Sequence, residues 1–200
     1  MSRIARAMQQ AAAGAVGELL TIEDVFSTYL YTGNDSTQTI TNGIDIAGEG
    51  GMIWIKNRDQ NSNHILTDTN RGRSKQLRTN ETGGDETNST IISSFNSDGF
   101  TLGVGNSNTN ASATNYSSWT FRKAPRFFDV QTWGGDEVSG RKISHNLGVI
   151  PGIVIIKKRD NDTNYDDWFL WHRDLDSGKF LTLNTSNAQT DNDGDFVYAG

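Results

Sequence analysis

The chain has 200 residues, with 24 acidic and 18 basic side chains and a net charge of -6; that balance argues against a phosphate-backbone binder, which usually presents a basic face. The absence of Cys excludes disulfides and thiolate metal sites, and three His leave little for a zinc centre. Only 34% of residues are apolar and Pro is down to two; with abundant Asn, Thr, Ser and Gly, this favours short strands joined by turns.

No stretch has the roughly 18 apolar residues of a membrane span. Residues 1–20 make a poor signal peptide, because Gln9 and Gln10 break a run that is mostly Ala and Gly. Good helix formers predict a short helix over about residues 3–13, with Ile4, Met8 and Ala12 on one face. Two readings stay open for this leader: a frayed terminus, or a docking peg with Ile4, Met8, Ala12, Val16 and Leu19 as its anchoring residues. In the docking reading, Val25, Phe26 and Tyr29 seat the leader on the first β-sandwich.

Beyond the leader the chain repeats itself. Gly51, Ile55, Lys56, Arg58 and Asp59 recur as Gly152, Ile156, Lys157, Arg159 and Asp160, at a constant offset of 101. Leu66, Lys75, Leu77 and Asn80 recur slightly further on, as Leu170, Lys179, Leu181 and Asn184. This predicts a leader over 1–24 and two related units, 25–126 and 127–200. In each, a first strand (Val25–Tyr31, Phe127–Trp133) leads to a short one near Ile40 or Ile143. The most apolar strand comes next (Met52–Lys56, Ile153–Lys157), with a pattern that predicts burial on both faces. Then come His64–Asp68 or Trp168–His172, and Lys75–Thr79 or Lys179–Leu183. Unit one closes with Ile91–Phe95, an Asn-Ser-Asp-Gly turn at 96–99, Phe100–Val104 and Tyr116–Arg122. The expected fold is all-β: two tandem β-sandwich, jelly-roll-like units after a short N-terminal helix. Nothing after Gly200 corresponds to Tyr116–Arg122, so the second unit is expected to be incomplete, with the chain continuing or a partner supplying the strand.

Chemical motifs are sparse. There is no G-x-S-x-G, no phosphate loop and no H-E-x-x-H, so the sequence nominates neither a catalytic residue nor a cofactor. His64, His145 and His172 lie far apart. Asp191-Asn192-Asp193-Gly194-Asp195 has the oxygen density of a calcium loop but lacks the closing Glu, and a solvated turn is the plainer reading. Trp54, Trp119 and Trp133 fall in strand patterns and are expected in the core. Trp168 and Trp171, beside an acidic loop, are the better surface residues for stacking on a glycan.

The blocks GGMIWIKNRD, NHILTDTNRG, SFNSDGFTLG, NYSSWTFRKAPRFFDV and ISHNLGVIPGIVIIKKRD resemble a domain of marine phage (cyanophage-type) tail-fibre and virion structural proteins. The similarity covers about residues 25–185. It implies a non-enzymatic virion protein: the N-terminal region of a tail fibre, attached to the tail through residues 1–24 and projecting towards the host for adsorption. The implied partners are tail adaptor or nozzle proteins, further copies in a homotrimer, and the host surface through a distal region; neither nucleic acid nor membrane insertion is implied. Two alternatives are a capsid decoration or knob protein, and a carbohydrate-binding, tail-spike-like module.

Overall fold

The computed structural model describes residues 20–138, 140–161 and 167–191. The predicted helix at 3–13 and the residues Ile4, Met8, Ala12, Val16 and Leu19 lie outside that range, as do residues 192–200. The first element is a short helix, α1 (Ile22–Val25). Its start is fixed by Thr21, whose backbone N–H and hydroxyl both donate to the Asp24 carboxylate at 2.8 Å.

The fold is all-β, with antiparallel pairing throughout. Among the described residues thirteen strands come after α1: β1 (Phe26–Thr32), β2 (Gln38–Thr41), β3 (Gly51–Asn57), β4 (Ile65–Asp68), β5 (Lys75–Arg78), β6 (Glu86–Thr87), β7 (Ile92–Asn96), β8 (Gly99–Leu102), β9 (Asn115–Arg122), β10 (Ile153–Ile156), β11 (Phe169–His172), β12 (Lys179–Thr182) and β13 (Thr190–Asp191). A second short helix, α2 (Ile46–Glu49), is capped by Asp45, which accepts from the Gly48 N–H at 2.7 Å.

Residues 26–122 build two facing layers. One is six-stranded, ordered β1-β9-β3-β4-β5-β6, and the other is three-stranded, ordered β2-β8-β7. Between them lie Tyr31, Ile53, Ile55, Ile65 and Tyr116 from the larger sheet and Ile40, Ile92, Phe100 and Leu102 from the smaller, with Ile44 and Ile46 plugging one end. Each fully buried Ile contributes on the order of 1.5–3 kcal/mol. The expected turn at 96–99 joins β7 to β8. Gly99 has φ +149, and a Cβ there would sit 2.0 Å from the Ile40 carbonyl oxygen, so only Gly serves.

β3 corrects one expectation. Its residues alternate between buried and half-buried. Ile53 and Ile55 face the core, while Trp54 lies on the outer face, 5.8 Å from Trp119 of β9. An apolar run does not mean two buried faces when outward positions carry side chains that cover one another.

The second run of strands forms a four-stranded sheet, ordered β10-β11-β12-β13. Its pairing copies β3-β4-β5-β6 residue for residue. Met52 pairs Asp68 and Ile55 pairs Ile65, as Ile153 pairs His172 and Ile156 pairs Phe169. Leu66 pairs Leu77 as Leu170 pairs Leu181, and Lys75 pairs Thr87 as Lys179 pairs Asp191. The strands predicted at Phe127–Trp133 and near Ile143 do not form. In the first run β1 pairs with β9 and β2 with β8, and no described strand offers those edges to the second. The described residues of 124–147 are instead tied to the first sheet near their start and to one another beyond it. Phe127 stacks 6.3 Å from Phe121, the Val130 carbonyl accepts from Asn70 at 2.7 Å, and Asp129 accepts the Asn146 N–H at 2.7 Å. Trp133, expected in the core, is therefore 40% exposed.

Candidate functional site

The two repeated sheets meet along a seam. Its first side is the β5–β6 connection, residues 79–85; its second is residues 157–161 after β10 together with Trp168, just before β11. Trp168 is the anchor. The sequence places it at the surface, but it is 3% exposed, and its indole N–H points at the carbonyls of Arg78 and Glu81, both at 3.1 Å. A large apolar ring with one donor suits such a site, because the chain reversal after β5 leaves carbonyls that no strand takes up. Trp171 lies half-buried on β11, in register with Val154 and so on the opposite face from Ile155. The two Trp residues do not form a joint stacking surface.

Beside Trp168 the chains run together. The Asp85 N–H donates to the Arg159 carbonyl at 2.8 Å, and Asn161 closes a reciprocal pair with the Gly84 N–H at 3.0 Å and the Asp85 carbonyl at 2.7 Å. Lys157 donates to the Thr82 carbonyl at 2.7 Å. Asp85 also links the seam to the first sheet. One carboxylate oxygen meets Arg71 at 2.7 Å, and the other meets Arg159 at 3.2 Å. Arg71, with its side chain 2% exposed, is held from behind by Asp68 at 2.6 Å. A guanidinium this deep needs both carboxylates, since burying it unpaired costs several kcal/mol.

Two open hollows flank the seam, of about 470 Å³ and 360 Å³. Asn80 and Asn184 line both. They occupy equivalent places in the repeat and do the same work. Asn80 accepts the His64 N–H at 2.8 Å, and Asn184 accepts the Trp168 N–H at 2.8 Å. The larger hollow also holds Glu81 and Glu86. Both bind Arg78, at 2.9 Å and 2.7 Å, and the Glu81 hydrogen bond leads the effects that raise the Arg78 pKa. These carboxylates are thereby committed to an ion pair. The smaller hollow places Trp54, His64 and Thr79 opposite Leu183 and Thr185. Burial first, and then Lys56, push the His64 pKa below its usual 6.5. Trp54 donates its indole N–H to Thr79 at 3.0 Å. The two amides are already engaged, Asn80 donating to Asn63 at 2.9 Å and Asn184 to Asp167 at 2.7 Å.

A family model for a domain of unknown function, DUF7483, matches residues 22–199. The chain belongs to this family. The DUF7483 match starts at the first residue of α1 and runs through both repeated sheets and the seam. No curated protein and no solved structure matches the chain.

Elsewhere the sequence-level sites stay dispersed. His145 and His172 are surface residues whose Nδ1 atoms accept nearby backbone N–H groups. Among the described residues, no group of three or more His, Cys, Asp or Glu is placed to hold a metal ion. Most of the Asp-rich stretches at 160–167 and 191–195 lies outside the described residues. Sequence reasoning missed Asp85, Gly84 and Asn161 as a contact. The repeat holds the one available signal, since Asn80 and Asn184 match in spacing and turn out to line one seam.

Proposed function

We propose that this DUF7483 chain is a structural protein of a bacteriophage virion, the N-terminal region of a tail fibre. It attaches to the tail, projects towards the host for adsorption, and assembles as a homotrimer on adaptor or nozzle proteins. The blocks resembling cyanophage-type fibre proteins support the setting. The observation that carries the mechanical role is the seam: Trp168, Asp85 and Asn161 bind one repeated sheet to the other through side chain and backbone together. A projecting fibre transmits force along its length, and a joint with interlocked hydrogen bonds resists bending better than a bare linker.

Cryo-electron microscopy of the intact particle tests this reading. Density at the tail, in a small multiple of copies, is the expected result. Density on the capsid lattice, in tens to hundreds of copies, replaces it with the decoration-protein alternative. The hollow formed by Trp54, His64 and Thr79 favours a second reading, a carbohydrate-binding module. That reading requires the isolated chain to bind host-surface glycans and to lose binding on His64→Ala.

A further inference from the structure

Among the described residues β10 is an edge strand. It pairs with β11 on one side, and among the described residues no strand pairs with the other. Its counterpart β3 is interior, flanked by β4 and by β9. The shared register therefore specifies what the free edge of β10 is built to receive.

β9 lies antiparallel on β3 with Trp119 opposite Trp54, Phe121 opposite Met52, and Ser118 and Thr120 opposite Ile55 and Ile53. Transferred through the repeat, an aromatic ring belongs opposite Ile155, a second opposite Ile153, and small hydroxyl residues opposite Ile156 and Val154. The exposure of β10 matches this pattern. Ile153 and Ile155, where rings are called for, are 56% and 46% exposed, while Val154 and Ile156 are half-buried. Val149 and Ile150 extend the apolar patch. An edge of unpaired N–H and C=O groups beside exposed Ile is a ready template for strand addition.

We propose that the β10 edge is an acceptor site for an extended partner strand of the β9 type. That strand runs antiparallel to β10, with two aromatic side chains at alternate positions over Ile153 and Ile155 and small hydroxyl residues between them. That strand is not this chain's own β9, because Tyr116–Phe121 is already held between β1 and β3. This rests on the repeat geometry alone and stands apart from the virion reading.

The test uses the 200-residue protein and a synthetic peptide of its own β9 sequence, residues 113–124, followed by hydrogen exchange. The peptide is expected to slow exchange at residues 153–156 about tenfold or more. A peptide with Ser in place of both Trp119 and Phe121 is expected to have no effect, and Ile155→Glu is expected to abolish the response to the native peptide. Ile155 is an edge residue, so that variant keeps its fold, which unchanged exchange at β11 and β12 verifies. The proposal is overturned by unchanged exchange at 153–156 with saturating peptide, by protection of the β1 edge instead, or by equal protection from the Ser peptide. Concentration-dependent protection of β10 in the free protein, together with a multimeric sedimentation mass, overturns it in favour of a second copy.

Discussion

Trp168 and Trp54 show how far one residue's role depends on its surroundings. Both sit in apolar strand-like sequence, yet Trp168 is buried in the seam and Trp54 is half-exposed on an outer face. Local pattern reports which side of a strand a residue takes. It does not report whether another sheet arrives to cover that side. The seam's tolerances give a sharp test at residues 83 and 84. A Cβ on Gly84 would lie 2.4 Å from the Arg159 carbonyl oxygen and 2.7 Å from that of Asp160, while one on Gly83 would meet nothing within 4 Å. All the close atoms are backbone of residues 159 and 160, which leaves no soft atom to move. Gly84→Ala is therefore expected to destabilise the seam by about 1–3 kcal/mol. Gly83→Ala should be close to neutral. Amide exchange at Asp85, which donates across the seam, reads both variants, and equal effects would refute the close approach.

At the scale of the element, the segment between the sheets shows why some expected strands do not form. Phe127–Trp133 has the composition of β1, and composition is all the sequence offers there. A strand needs an edge to pair with, and β1 finds one in β9. The strands expected within residues 26–122 form even where the partner is distant, as β1 does with β9, while in β3 to β5 and β10 to β12 the partner lies next along the chain and local pattern and pairing coincide. What replaces a strand over 124–147 is a set of side-chain ties centred on Asp129. Burial pushes the Asp129 pKa up, but the N–H of Asn146, the Gln131 amide, the N–H of Val130 and the Lys123 charge together bring it below its usual 3.8. A carboxylate depressed in the folded state contributes stability above its unfolded pKa, and that contribution is lost as pH falls through the folded value. The Asn146 amide is therefore expected to lose protection below about pH 4 before the sheets do. Asp129→Asn should lower protection at neutral pH and flatten this acid dependence. An Asn146 amide with the same pH profile in both proteins would show that Asp129 does not hold the segment.

For the whole molecule, the repeat was the strongest signal in the sequence, and strand register explains why. Slipping a pairing by one residue turns every side chain to the other face, so two copies of a sheet that keep one register must keep one spacing. The offset of 101 through β3 and β10 gives way to 104 from β4 and β11 onward, which puts the extra residues in the loop between paired strands and leaves the pairs intact. The seam was not legible, because it joins positions whose partners are set only once both sheets exist. Its consequence is a difference in stability between the two sheets. The first is backed by a second layer and a core of fully buried Ile, Phe and Tyr side chains. In the second, the inward row of Val154, Ile156, Phe169 and Phe180 is half-buried, with the Phe169 and Phe180 rings stacked at 4.7 Å. Burial sets the free energy of local opening, so β10–β12 should exchange about a hundredfold or more faster than Ile53, Ile55 and Thr120. Trp168→Ala removes the ring that fastens the second sheet to the first, and truncating a buried Trp costs about 3–5 kcal/mol. It should speed exchange in β10–β12 and leave β3 and β9 unchanged. Uniform loss of protection across both sheets would mean that they unfold as one unit, with the seam as part of a common core.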